Sequence, residues 1–243
     1  MPPYRARGRH RVTVRDSLPP VRDELVEARP DFIWLASQSP RRQALLAQIG
    51  VTFQLLLPGD DEDAEALEAV QPGELPLAYV QRVTRAKLQA AVARHQRRGL
   101  APAPILCADT TVALGRRILG KPADAQEAAD TLAALSGRTH RVLTSVAVAV
   151  TVASAKGPAG RVRIEQATQV SRVRFNALTP ALIQAYIASG EPFGKAGSYA
   201  IQGALAAHIA HIEGSHSGIM GLPLFETAEL LRQAGVSMSL GSR

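Results

Sequence analysis

The chain has 243 residues, enough for one large domain or two small ones, and 46% hydrophobic against 20% charged residues gives it a core to bury and excludes a disordered polyelectrolyte. No apolar run reaches the length of a membrane span, and a single cysteine, Cys107, excludes an intrachain disulfide and a cysteine-rich zinc site. The net charge is +7, but seven arginines crowd residues 1–29 and aromatic residues are only 4%, so the body lacks the basic and aromatic pattern of a base-stacking surface.

Residues 1–30 read as a basic, disordered extension without the apolar stretch and small-residue cleavage site of a secretory signal. Its arginines could touch polyanions nonspecifically, and the cytoplasm is the expected location. Phe32–Leu35 then reads as a buried strand and Arg41–Ile49 as a helix closed by Gly50. Phe53–Leu57 is a second apolar run, broken by Pro58 and Gly59 and followed by the acidic run Asp60, Asp61, Glu62, Asp63. A long helix is expected over Leu75–Arg98. Ile105–Ala108 reads as a strand delivering Asp109, Thr110 and Thr111, and Val112–Leu114 and Arg117–Leu119 flank Gly115 as a hairpin. A helix over Ala125–Leu135 ends at Ser136-Gly137. Two long strands, Val142–Val152 and Arg161–Phe175, are joined by a loop rich in glycine, proline and serine. Thr179 caps a helix to Ser189, strand character resumes at Ile201 and over Ala207–Ile212, and a last helix runs over Leu222–Ala234. This alternation predicts an α/β fold with a mixed sheet.

Four short segments carry chemistry. In Ser37-Gln38-Ser39-Pro40-Arg41-Arg42, a strand gives way to a helix opening on proline, which gathers unpaired N–H groups, a partial positive charge and two guanidiniums. That suits a phosphate, although a Ser-capped helix with two solvated arginines has the same sequence. The acidic run reads either as a cation site or as a solvated loop. Asp109 reads as a reacting carboxylate or a turn cap. Lys121, between Gly120 and Pro122, reads as a phosphate contact or an exposed turn, and the fourth segment is Lys195–Gly203. Cations together with carboxylates, with no Ser-His-Asp pattern and no histidine cluster, point to metal-assisted phosphate chemistry.

The segments LASQSPRRQALLAQIGVTF, ADTTVALGRRILGKPADAQEAADTLAALSGRTHRVLT and YIASGEPFGKAGSYAIQGALAAHIAHIEGSHSGIMGLPLFETAELL resemble the Maf family of nucleoside triphosphate pyrophosphatases, over about residues 32–235. The resemblance implies an elongated mixed sheet flanked by helices, in two lobes with a central cleft, filling residues 31–243. It implies hydrolysis of a nucleoside triphosphate to the monophosphate and pyrophosphate, a divalent cation (Mg²⁺ or Mn²⁺), and a homodimer. By the same resemblance, Asp109 matches the proton acceptor, Ser37, Ser39, Arg41 and Arg42 the phosphate-binding turn, and Glu62 with Asp109 the metal positions. Lys87 and Lys121 match triphosphate contacts, and Lys195 and Gln202 belong to the K-A-G and I-Q-G segments. Arg41, Thr110 and Gln202 resemble the base-choice set of the branch that prefers dTTP and UTP. Gly194 stands where the family usually has aspartate. Two other activities remain open: a nucleotide or nucleic-acid binding protein with a regulatory role in septum formation, and a phosphohydrolase cleaving the terminal phosphate.

Overall fold

A computed structural model of the chain describes residues 31–59, 62–63, 66–154 and 157–238. The basic extension over residues 1–30, and Asp60 and Asp61 of the acidic run, lie outside them.

The strands are β1 (Ile33–Leu35), β2 (Phe53–Leu55), β3 (Ile105–Leu114), β4 (Arg117–Leu119), β5 (Thr139–Ser154), β6 (Gly157–Phe175) and β7 (Ile209–Glu213). The helices are α1 (Pro40–Gln48), α2 (Pro76–Arg97), α3 (Ala125–Leu135), α4 (Pro180–Ala188), α5 (His216–Met220) and α6 (Leu224–Gln233). The strands form one mixed sheet in the order β2-β1-β3-β5-β6-β7, with β4 also paired to β3. The two pairs involving β1 are parallel and the others antiparallel. This is the expected α/β class with a mixed sheet flanked by helices.

The period-2 alternation of β3 distributes its residues between two cores. Leu106 and Ala108 join Ile33, Leu35, Val146 and Val148 beneath Leu45 and Leu46 of α1 and Leu230 and Leu231 of α6. Ile105 and Cys107 face the other way, against Leu88 and Ala91 of α2. A further cluster lies at the far end of the first face, where Val112, Val142, Val173 and Phe175 pack on α3, α4 and residues 199–205. Thus one sheet face carries an apolar core at each end, and the residues between the two cores on β3 and β5 are Thr110 and Thr144, which are register partners.

The edge of β3 explains where the site forms. β1 pairs with β3 only through Trp34↔Ile105 and Leu35↔Leu106, and β4 pairs only from Val112 onward. Between them, among the described residues, Cys107–Thr111 has no strand neighbour on that side. Both faces of β3 are reachable through this gap, so consecutive residues Asp109 and Thr110 open onto one cavity.

Four expectations change. The strand predicted over Ile105–Ala108 continues unbroken to Leu114, because β5 pairs along its whole length, from Ile105↔Ala149 to Ala113↔Arg141. Asp109 and Thr110 therefore sit inside a strand rather than after it, and each finds a polar partner there. The loop predicted between the two long strands is largely taken up by them, for Ser154 pairs with Gly157. Ile201 lies in a turn and 3₁₀ segment, and strand structure begins only at Ile209. The last predicted helix is two: α5 ends at Gly221 (φ 118°), and Pro223, with no N–H to donate back, precedes α6.

Candidate active site

A cavity of about 1050 Å³ opens at the gap in the β3 edge, lined by the strand-to-helix turn, α2, β3 and residues 193–202. Ser37, Ser39, Arg41, Arg42, Glu62, Lys87, Asp109, Thr110, Lys121, Lys195 and Gln202, singled out from the sequence, all contribute to its wall.

Its ionic side is a chain of alternating charges. Lys87 lies on the inward stripe of α2 with Val80, Val83, Thr84, Leu88 and Ala91, which aims it at the sheet. Its Nζ lies 2.6 Å from Asp109 Oδ1 and 2.6 Å from Glu68 Oε1. Glu68 in turn receives Lys121 Nζ on both oxygens, at 3.1 and 2.9 Å. Burial pulls the Lys87 ammonium down, but Asp109 and Glu68 outweigh it and hold it above its ordinary value. Burial likewise pushes the Glu68 carboxyl up, and Lys87 and Lys121 more than reverse this. Burial, then the Asp109 and Glu68 charges, raise the nearby Tyr79 phenol to about 12, so it stays protonated.

Glu68 is the site residue that the sequence reading missed. It ends a 3₁₀ turn, Ala66–Glu68, with no apolar periodicity to reveal it. The turn is held from α2: Tyr79 Oη donates to the Glu68 carbonyl at 2.9 Å, and Arg82 donates to the Leu67 and Ala69 carbonyls while clamping Glu74. The one hint in the sequence was that the acidic run continues past Asp63. Glu62 lines the same cavity but stands elsewhere. Both its oxygens are taken by Arg94, at 2.8 and 2.7 Å, and Oε1 also by Arg97 at 3.0 Å. The Arg94 hydrogen bonds draw its carboxyl down to about 2 despite burial.

The Ser-Pro-Arg-Arg turn is self-braced. Ser39 caps α1, its Oγ accepting the Arg42 N–H at 3.5 Å, with Pro40 at the first turn. Arg42 Nε donates to the Gly221 carbonyl at 2.8 Å, Nη1 to Ser37 Oγ at 3.1 Å and Nη2 to Thr110 Oγ1 at 3.4 Å. Arg42 thus ties α1 to β3 and to the end of α5. Arg41 Nε donates to the Met220 carbonyl at 3.3 Å, and among the described residues its terminal nitrogens have no partner. Burial and then Arg42 lower its pKa.

The opposite wall is the segment Lys195–Gly203. Gly197 (φ 71°) and Ser198 (φ 62°) are both left-handed, and Gly197 N–H donates to the Gly120 carbonyl at 3.0 Å, beside Lys121. A Cβ on Gly197 would lie 2.8 Å from Val112, so glycine is required by packing as well as by φ. Glu191 ties the ends together: its carboxylate accepts from the Tyr186 hydroxyl and the Ala204 N–H, and its carbonyl accepts from Lys195 Nζ. Tyr199 is braced beneath by His140 Nε2 at 2.7 Å. Gln202 is exposed at the rim, and its amide has no hydrogen-bond partner among the described residues.

The donor set accommodates a divalent cation. Asp109 and Glu68 already converge on one positive nitrogen, and two carboxylates completed by substrate phosphate oxygens and water suit Mg²⁺. Among the described residues no three His, Cys, Asp or Glu side chains gather into an all-protein metal cage. No helix among them is long and apolar enough to cross a membrane.

A family profile described as Maf-like protein matches residues 32–234. The chain is 62% identical over 208 residues to a dTTP/UTP pyrophosphatase of Polaromonas sp., covering 86% of this chain and 98% of that protein. It is 60% identical over 205 residues to a dTTP/UTP pyrophosphatase of Albidiferax ferrireducens, covering 84% and 98%. A third relative of the same name, from Ralstonia nicotianae, is 61% identical over 206 residues, covering 85% and 95%. With its mixed α/β sheet and the cavity at the open edge of β3, the chain belongs to the Maf family.

Proposed function

We propose that this protein is a nucleoside triphosphate pyrophosphatase that hydrolyses dTTP and UTP to the monophosphate and pyrophosphate. The observation that carries the reading is the two-sided cavity. Lys87, Lys121, Asp109 and Glu68 form an ionic wall reached past one face of β3, while Thr110, on the other face, and Gln202, at the exposed rim, offer uncharged hydrogen-bonding groups. A nucleotide has the same division between polyphosphate and base. The relatives named for this activity are covered over nearly their whole length, which supports assigning it to this chain.

Asp109 is placed to take the proton of the attacking water, because a strand holds its backbone and Lys87 orients one of its oxygens. Lys87, Lys121 and Arg41 offset the charge that moves onto the departing pyrophosphate. Lys195, held by the Glu191 carbonyl, adds a cation on the opposite wall. Glu68 and Asp109 would hold a divalent cation, Mg²⁺ or Mn²⁺, which when bound neutralises phosphate charge and favours ionisation of a water. Glu62, engaged by Arg94 and Arg97, serves better as a brace between the cavity wall and α2 than as a ligand.

Around this core we place residues 31–243 as one catalytic domain preceded by a basic extension. We expect it to act as a homodimer in the cytoplasm. Hydrolysis of UTP in heavy-oxygen water tests the chemistry. Label in the monophosphate means attack at the α-phosphorus, as proposed; label in orthophosphate would mean cleavage of the terminal phosphate and refute it. Chelation of divalent ions should abolish turnover and added Mg²⁺ restore it, whereas turnover indifferent to chelator would remove the metal from the scheme.

A further inference from the structure

Among the described residues, three aromatic side chains line the cavity: Tyr79, Tyr199 and Phe193. The tyrosines are buried and engaged, Tyr79 through its hydroxyl on the Glu68 carbonyl and Tyr199 through His140 and the ring of Phe175. Phe193 differs. It is 40% exposed, and among the described residues it belongs to none of the apolar cores and pairs with no other aromatic ring. A lone exposed apolar side chain is ordinary on an outer surface. Of the large ones exposed among the described residues, Phe193 is the one that lines the cavity. Its backbone is pinned on both sides. Phe193 N–H donates to the Gly190 carbonyl at 3.4 Å, and Glu191 N–H to Ser189 Oγ at 3.2 Å. The Glu191 carboxylate accepts from the Tyr186 hydroxyl at 2.9 Å and from the Ala204 N–H at 3.2 Å, while the Glu191 carbonyl accepts from Lys195 Nζ. A tied turn thus presents an unpacked ring at the cavity wall.

We propose that Phe193 is a stacking platform for the base of the nucleotide. The inference rests on the pyrophosphatase reading above and adds a residue that binds the uncharged end of its substrate. A phenyl ring has no donor, no lone pair and no charge, and its face is the negative part of a quadrupole. It therefore offers nothing to phosphate oxygens, which have lysines and arginines elsewhere on the same wall. The part of a nucleotide that gains from such a ring is the planar base, and every base has a π-face to lay on it. The tied turn matters because a ring already held in place loses little freedom when the base arrives. The sequence hid this residue. Phe193 stands in a short turn between Pro192 and Gly194, where an apolar side chain has no periodic neighbours.

The test is calorimetric binding of UMP and of pyrophosphate to the full chain, in the wild type and in Phe193→Ala, Phe193→Leu and Phe193→Trp. One ligand carries the base and the other does not. Phe193→Ala should weaken UMP about tenfold, the scale of one base stacked on an aromatic side chain, and leave pyrophosphate unchanged. Phe193→Leu keeps apolar bulk without a flat ring and should also weaken UMP, while Phe193→Trp should bind it at least as tightly as the wild type. In Phe193→Trp the new indole should be quenched by UMP and not by pyrophosphate, with the buried Trp34 of the wild type as the baseline. A role in folding the turn would weaken both ligands together, which would overturn the proposal. Unchanged UMP affinity in Phe193→Ala would overturn it too, as would weaker UMP binding without quenching in Phe193→Trp, since the contact would then be with the sugar. If Phe193→Ala does not fold, the other two variants decide: equal UMP affinity in Phe193→Leu and Phe193→Trp refutes the platform. A wild type that binds UMP in this way but does not hydrolyse UTP overturns the pyrophosphatase reading and leaves the contact standing. One that hydrolyses UTP and whose UMP affinity survives Phe193→Ala overturns this inference alone.

Discussion

Asp109 joins the ionic wall to the strand that carries Thr110, so it is the residue whose loss should be felt most. Asp109→Asn keeps the shape and removes the proton acceptor; turnover of UTP should fall about 10²–10⁴-fold with the circular dichroism spectrum unchanged. Near wild-type turnover in a folded variant would show that another group takes the proton. His140 gives a second prediction, in stability. Burial holds its imidazole at about 4 against an ordinary 6.5. Between these values the unfolded chain binds a proton that the folded one refuses. Its contribution to stability is therefore fully present above pH 6.5 and drains as pH falls toward 4. The Glu62–Arg94 pair is lost only lower, between 4.5 and about 2. Tm should decline from pH 6.5 to 4, and His140→Gln, which keeps a partner for the Tyr199 hydroxyl, should flatten that decline; an identical decline in the variant would refute the assignment. At this scale the sequence was readable where chemistry is concentrated in short motifs. Ser37, Arg41, Arg42 and Lys121 are found around one cavity because tight turns deliver them, and Asp109 and Thr110 join them from the open edge of β3. Glu68 was not readable, because its position depends on Tyr79 and Arg82, side chains that reach back from α2.

Between residue and molecule, the site rests on turns as well as on β3 and α2. The Lys195–Gly203 segment depends on the left-handed backbone at Gly197 and on its contact with Val112. Gly197→Ala should cost about 1–3 kcal/mol through strain and overpacking. It should also weaken UTP hydrolysis by moving Lys195 and Gln202 away from Lys121. A chemical-denaturation midpoint and KM measured together check both parts, and a wild-type KM would mean that the turn does not position the rim. Helices with regular apolar spacing, α2 and α3 above all, were legible to within a residue or two. The errors came where tertiary pairing overrides local pattern. The polar triplet Asp109-Thr110-Thr111 looks like a strand terminus until β5 is laid alongside it. Ile201 and Leu205 look like strand residues but are apolar anchors of a 3₁₀ loop buried against Val173 and Phe175. Pro223 signals the break between α5 and α6, but the apolar residues on both sides of it mask that signal.

For the molecule as a whole, the gap between β1 and β4 sets the architecture. One face of the sheet is covered by α1 and α6 at one end and by α3 and α4 at the other, while α2 covers the opposite face. The proposed catalytic groups therefore gather where a strand edge is left open between two cores. The alternation of strand and helix announced this class, but the gap itself was not visible, because it depends on where β1 stops pairing, after Leu106. If the catalytic unit is residues 31–243, a chain lacking residues 1–30 should hydrolyse UTP at the full-length rate, and a large loss would make the extension part of the catalytic domain. The most direct test of the central claim is a product-resolved hydrolysis screen of the full chain with Mg²⁺, using dTTP, UTP, CTP, GTP and 7-methyl-GTP. The account predicts rapid release of pyrophosphate from dTTP and UTP and slow turnover of the rest. Release of orthophosphate, or pyrophosphate chiefly from the purine nucleotides, would contradict it.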